Sequence, residues 1–275
     1  PEGMAGIADK VNELGMQFGL WFEPEAVNPD SDLYRAHPEW ALAAPGRIPL
    51  ESRQQLVLDM GNPAVVDYLS DSFATCFKDV PLDYFKWDMN RHSIALGPKA
   101  HDYIVGLYEV LDRIFTPRPH ILLESCASGG NRFDLGMLCY GPQAWCSDNT
   151  DPIERLTIQG NLSYLYPQST FGAHVSAAPH AQTLRSTPLC TRGNVSFFGC
   201  LGYELDLKHL LNIEKDDIKA QIAFYKAHRQ VFQFGTFRRI AGGWQVSDGS
   251  ITLASMLPIC LISIKHGLRW GLGTA

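Results

Sequence analysis

The chain has 275 residues, 45% hydrophobic and 11% aromatic, enough for one large domain, or one domain and part of another, around a sizeable core. A formal net charge of -6, with no long block of like charge, argues against nucleic acid and against a membrane surface as partners. Seven cysteines, an odd number without CxxC spacing, fit a reducing, cytoplasmic setting better than a disulfide framework.

The chain opens on Pro1 with no Met, in what reads as the start of a helix. The true N-terminus is therefore expected elsewhere, and the lack of a signal peptide in residues 1–20 does not bear on secretion. Residues 3–15 place Met4, Ile7, Ala8, Val11 and Leu14 on one helical face, closed by Gly15. Phe18 to Phe22 is a short apolar strand, and 23–53 reads as a long loop region. Leu56 to Asp59 is a short strand candidate, and Asn62-Pro63 starts a helix over 64–78.

The rhythm continues with a strand at 83–87, a helix near 98–115 and a strand at 120–124. A short strand at 144–147 precedes Asp151-Pro152-Ile153-Glu154, a capping-box helix start running to about Tyr166. Strands at 170–175 and 195–198, a helix at 181–189 between them, and a long amphipathic helix at 214–234 complete the series. Gly242 to Val246 opens a β region. Cys76, Cys139 and Cys200 sit among apolar neighbours and read as small core residues.

Alternating strands and helices imply an α/β protein with a parallel sheet, and the count gives six strands of a (β/α)8 barrel. A doubly wound open sheet is the competing architecture, but no Gly-rich phosphate turn occurs early in the chain. Domain organisation follows: 1–238 as a barrel of six strands, 239–275 as the start of a C-terminal β domain or an aberrant tail.

In a parallel barrel, catalytic groups sit at the C-terminal ends of strands. Those ends carry Glu23, Lys86 with Asp88, Glu124 with Cys126, and Ser147 with Asp148. Glycoside hydrolysis needs two carboxyl groups flanking an anomeric carbon, and any two of Glu23, Glu25, Asp88, Glu124, Asp148 and Asp151 qualify. Asp151, directly before Pro152, also reads as a helix cap. The nine His show no HExxH and no i, i+4 pair, so neither a metal nor another cofactor is expected. No GxSxG elbow is present.

The runs GLWFEPEAVNPDSDLYRAHPEW (19–40), DYFKWDMNR (83–91), ESCASGGNRFD (124–134) and WCSDNTDPIER (145–155) resemble glycoside hydrolase family 36, the bacterial and fungal type of α-galactosidase. YPQSTFGAHVS (166–176) and IAFYKAHR (222–229) are similar as well, so the likeness covers roughly residues 1–240. The resemblance implies a TIM barrel lacking its first two strands here, and hydrolysis of terminal α-galactosyl units of an oligosaccharide with retention.

By the same resemblance Asp88 is the nucleophile and Asp148 the general acid/base. Trp21, Arg53, Lys86, Cys126, Gly129 and Trp145 would bind galactose. Lys86, two residues from Asp88 and on the same strand face, is expected to keep it ionised. Cys126 is expected to line the pocket without acting as a nucleophile.

The family's barrel begins upstream with two more strands, and an acidic pair that grips galactose hydroxyls is not among these residues. Family members are often oligomeric. Two rival readings are a galactosyl transferase of the raffinose-synthase type and an inactive galactose-binding fragment.

Overall fold

The computed structural model describes residues 3–91, 96–240, 243–256 and 260–264. The chain divides into two units, Pro1–Pro142 and Gln143–Ala275.

The first unit runs α1 (Gly3–Glu13), β1 (Gly19–Phe22), β2 (Ala26–Val27), α2 (Asp32–Ala36), β3 (Leu56–Val57), α3 (Pro63–Asp79), β4 (Tyr84–Trp87), α4 (Ala100–Phe115), β5 (Leu122–Ser125) and a short α5 (Leu135–Leu138). β1, β4 and β5 pair in parallel in that order. Helix α3 starts where the sequence says: Asn62 caps it by accepting from the Ala64 amide at 3.0 Å, and Pro63 takes the first position.

Side chains alternate across a strand, so one face of this sheet is apolar. There Phe85 and Trp87 are fully buried and meet Phe22, Phe73, Phe77 and Phe115, with ring centroids 4.8 Å apart for Phe22 and Phe85 and 5.4 Å for Phe73 and Phe85. Each such ring contributes about 1.5–3 kcal/mol through burial. Gly106 lets α4 approach the chain at Met60, since a Cβ there would lie 1.8 Å from the Met60 carbonyl oxygen.

The second unit runs β6 (Gln143–Trp145), α6 (Pro152–Leu162), β7 (Phe171–Ser176), α7 (Leu189–Ser196), β8 (Cys200–Glu204) and α8 (Asn212–Phe234). β6, β7 and β8 are parallel in sequence order. Then β9 (Thr236–Ile240), β10 (Gly243–Ser247), β11 (Thr252–Met256) and β12 (Cys260–Ile264) form an antiparallel meander, the β region expected after the barrel. Strands thus continue through part of the stretch read as a tail, whose residues 257–259 and 265–275 lie outside the described ones.

Several expectations need correction. No helix occupies 181–189; α7 begins only at Leu189, because Pro188 cannot sit inside a helix and disfavours helical backbone before it. The strand read at 195–198 is the end of α7 and the turn after it, and the strand is Cys200–Glu204. Val195, Phe197 and Phe198 are all buried, and periodicity alone does not separate a short buried helix from a buried strand.

The region 23–53 contains β2 and α2, so it is not all loop. Of the apolar face on α1 only Ala8 is buried, while Met4, Ile7 and Leu14 are exposed. Cys139 is exposed and Cys76 and Cys200 half-buried; among the described residues the buried thiols are Cys126 and Cys146. Among the described residues no helix is long and apolar enough to cross a membrane.

Candidate active site

Strand register lays out the first unit's polar face. Trp21, Lys86 and Glu124 are direct partners across β1, β4 and β5. Two residues further on, at the carboxyl ends, come Glu23, Asp88 and Cys126, on the same side by the period of two. The ladder extends to them, with the Asp88 amide donating to the Phe22 carbonyl at 2.9 Å and the Cys126 amide to the Trp87 carbonyl at 2.7 Å.

Asp88 is 5% exposed. Its Oδ2 accepts from Trp21 Nε1 at 3.0 Å and from Asn90 Nδ2 at 2.7 Å. Burial works against its charge, but bonds from Trp21, Cys126, Asn90 and the Ser128 amide outweigh this and hold the carboxyl below the ordinary aspartate range. Asp88 is thus an anion at neutral pH held by neutral donors. Asn90 Nδ2 also donates to Glu23 Oε1 at 2.8 Å, and Ser128 donates to Asn90 Oδ1 at 3.0 Å.

Lys86 places its ammonium 2.9 Å from Glu124, a carboxylate that is 2% exposed. Burial comes first in pushing the Cys126 thiol up to about 12, which leaves it a neutral donor. Ser128 and Gly129 both have positive φ, 47° and 86°, which turns the loop after β5 back beneath the site.

Behind Asp88 lies Glu25, fully buried. It takes Arg132 in a fork at 3.0 and 2.8 Å, Trp87 Nε1 at 2.7 Å and the Tyr103 hydroxyl at 2.6 Å. Burial opposes its charge, and Arg132 with the hydrogen bonds brings the carboxyl below the ordinary range. Glu25 therefore joins the residue preceding Asp88 to the loop that follows β5.

In the second unit Trp145 Nε1 donates to Asp148 Oδ1 at 2.9 Å just beyond β6. Asp148 is exposed and Trp145 only 4% exposed. Asp151 is the cap the sequence implies, accepting from the Ile153 amide at 2.8 Å, and it also pairs with Arg185 and Thr183. Glu154, expected to close a capping box, instead reaches Arg185 at 3.2 Å. Among the described residues no group of three His, Cys, Asp or Glu side chains is placed to hold a metal.

A family model described as Melibiase matches residues 1–235. The chain belongs to the melibiase family. It is 50% identical over 260 residues to the α-galactosidase AgaA of Geobacillus stearothermophilus, covering 91% of the chain and 36% of that protein. It is 46% identical over 250 residues to α-galactosidase 1 of Pediococcus pentosaceus, covering 87% and 34%.

Among solved structures, the GH36 α-galactosidase AgaA matches with a TM-score of 0.87 at 49% identity, over 92% of this chain and 38% of that one. The galactosidase domain of AgaSK matches with 0.89 at 40% identity, over 99% and 38%. The chain spans a little over a third of the length of these relatives. AgaA variants carrying a substituted aspartate were crystallised with raffinose and with stachyose.

The chain gathers Trp21, Lys86, Asp88, Cys126 and Gly129 of the expected residues at the strand ends of the first unit and in the loop after β5, and Trp145 with Asp148 in the second. Arg53 lies on an exposed two-residue turn, where it and Gln54 have φ of 55° and 57° between Ser52 and Gln55, and Gln55 donates to Glu23 Oε2 at 2.7 Å. Trp145, expected to bind galactose, is buried, with the Arg155 guanidinium 4.7 Å from its ring centroid and its N–H turned to Asp148. Sequence reasoning missed Asn90, although the parity that flagged Lys86 two residues before Asp88 flags Asn90 two residues after it.

Proposed function

We propose that this chain is the catalytic core of a retaining α-galactosidase in which Asp88 is the nucleophile and Asp148 the general acid/base. Asp88 attacks the anomeric carbon of a terminal α-galactosyl unit, forming a C–O bond as the glycosidic bond breaks. The bond's electrons pass to the leaving oxygen, which takes the proton of Asp148. Asp148 then accepts a proton from water as that water displaces Asp88, giving galactose with net retention.

The observation that carries this reading is how the candidate carboxylates are occupied. Glu25, Glu124 and Asp151 are each paired with a cation, Arg132, Lys86 and Arg185 respectively, and Glu23 has each of its oxygens taken by a side-chain amide, of Gln55 at 2.7 Å and of Asn90 at 2.8 Å. Asp88 and Asp148, by contrast, are oriented by tryptophan N–H groups. Raffinose-type oligosaccharides are the proposed substrates, in keeping with the ligands of the AgaA variants. Trp21, Lys86, Cys126 and Gly129 would line the galactose site, and Trp145 would support it through Asp148. Arg53 would reach it from the turn that Gln55 ties to Glu23.

The parallel strands of the two units are proposed to be successive strands of one (β/α)8 barrel over residues 1–238, with 239–275 opening the C-terminal β domain. Release of p-nitrophenol from its α-galactoside tests the function. Activity in the wild type that vanishes in Asp88→Ala supports it; a wild type without activity on any α-galactoside sinks it.

A further inference from the structure

Arg155 is a guanidinium 2% exposed, and among the described residues no carboxylate lies within ion-pair distance of it. Its donors go to the backbone around Asp148. Nη2 donates to the Ser147 carbonyl at 2.6 Å and Nε to the Asn149 carbonyl at 2.7 Å. Nη1 reaches Cys146 Sγ at 2.7 Å and the Gly172 carbonyl on β7 at 3.0 Å. The carbonyls on either side of Asp148 in the chain are thus both held by one planar fork. The same group sits 4.7 Å from the ring centroid of Trp145, whose N–H is the donor to Asp148 Oδ1.

The fork is itself fixed. Arg155 lies in the first turn of α6, and its amide donates to the Asp151 carbonyl at 2.9 Å, while the Asp151 side chain caps that helix. The loop from Cys146 to Thr150 is therefore tied at its start by β6 and at its end by the cap, and pinned in the middle by Arg155. A cation buried without a carboxylate is costly, and a purely packing position would be better filled by an apolar side chain. Here the charge is solvated by three carbonyls and an aromatic face, a pattern that lysine, with one ammonium in place of a rigid fork, does not reproduce.

We propose that Arg155 is the positioning residue of the acid/base: it sets the Ser147–Asn149 backbone and the Trp145 ring so that the Asp148 carboxyl points at the leaving oxygen. The inference rests on the role of Asp148 proposed above. It acts through Asp148 and touches no substrate, so its loss should appear as loss of proton donation.

The test compares two leaving groups in wild type, Arg155→Lys and Asp148→Ala. p-Nitrophenolate departs without a proton, whereas the sugar leaving group of raffinose needs one. For Arg155→Lys, kcat/KM on raffinose should fall at least tenfold further than on p-nitrophenyl α-galactoside, with the deficit in kcat, in the direction set by Asp148→Ala; general-acid catalysis typically supplies 10²–10⁴-fold. Equal falls on both substrates, or no fall, would overturn the proposal, since a merely structural role lowers both alike.

A second readout needs no activity. In the folded protein Asp148→Asn should move the Trp145 indole N–H resonance, since Trp145 donates to Asp148, and in an Arg155→Lys background the same substitution should move it less. An equal shift in both backgrounds contradicts the proposal. A wild type that cleaves neither substrate, yet shows the indole result, overturns the assigned reaction and leaves the positioning role of Arg155 standing.

Discussion

Replacing Glu25 by glutamine removes one charge and almost no volume. The carboxylate is fully buried and accepts from Arg132, Trp87 and Tyr103. Glutamine keeps one acceptor oxygen but turns an NH2 group toward donors, and leaves the Arg132 guanidinium without its counter-ion. Breaking a buried pair by removing one partner costs about 3–5 kcal/mol. With the amide oxygen retained, about 3 kcal/mol is expected, a fall in Tm of roughly 10 °C for a unit of this size.

The pH dependence has a definite sign. The folded-state pKa of Glu25 is depressed, so its contribution is fully present above the unfolded value of about 4.3 and fades as pH falls through the folded one. Wild type and Glu25→Gln should therefore differ most near neutrality and converge in acid. Thermal melts from pH 3 to 8, with Arg132→Met and the double variant closing a cycle, provide the assay. The double variant should be less destabilised than the sum of the singles. A Glu25→Gln protein within about 0.5 kcal/mol of wild type at pH 7 would refute the reasoning.

Trp21→Phe keeps the ring and deletes the N–H donor to Asp88 Oδ2. Asp88 should then protonate more readily, moving the acid limb of kcat/KM to higher pH; a uniform fall with an unmoved limb would deny that Trp21 tunes the nucleophile. Iodoacetamide at pH 7.5 should label the exposed Cys139 and Cys190 and spare Cys126, whose thiol is buried and pushed up to about 12, as peptide mass spectrometry would reveal. Gly106→Ala should destabilise by at least about 1–3 kcal/mol, because the new methyl meets the Met60 carbonyl; an unchanged melt would show that α4 shifts freely.

What the sequence conveys well is what depends on short range. Asn62-Pro63 and Asp151-Pro152 mark helix starts because capping uses adjacent atoms, and strand parity brings Lys86 and Asp88 to one face. Pairings that depend on long range were out of reach. That Lys86 meets Glu124 follows from β4 lying beside β5, and neither residue's neighbours in sequence contain that register. The same holds for Glu25 and Arg132, 107 residues apart.

Pro188 is a legible signal against a helix over 181–189. Arg155 and Gln159 are buried on α6 at i, i+4, a polar pair on an inward face that betrays a role beyond packing. Reading it requires knowing which face is inward.

The central claim is that Asp88 becomes covalently bonded to galactose. A fluorinated α-galactosyl fluoride that forms the intermediate quickly and releases it slowly should trap it, and peptide mass spectrometry would locate the adduct. The account predicts one galactosyl adduct on Asp88, absent from Asp88→Ala. An adduct on Glu23, Glu124 or Asp148, or turnover without an adduct and with inverted product, would contradict it.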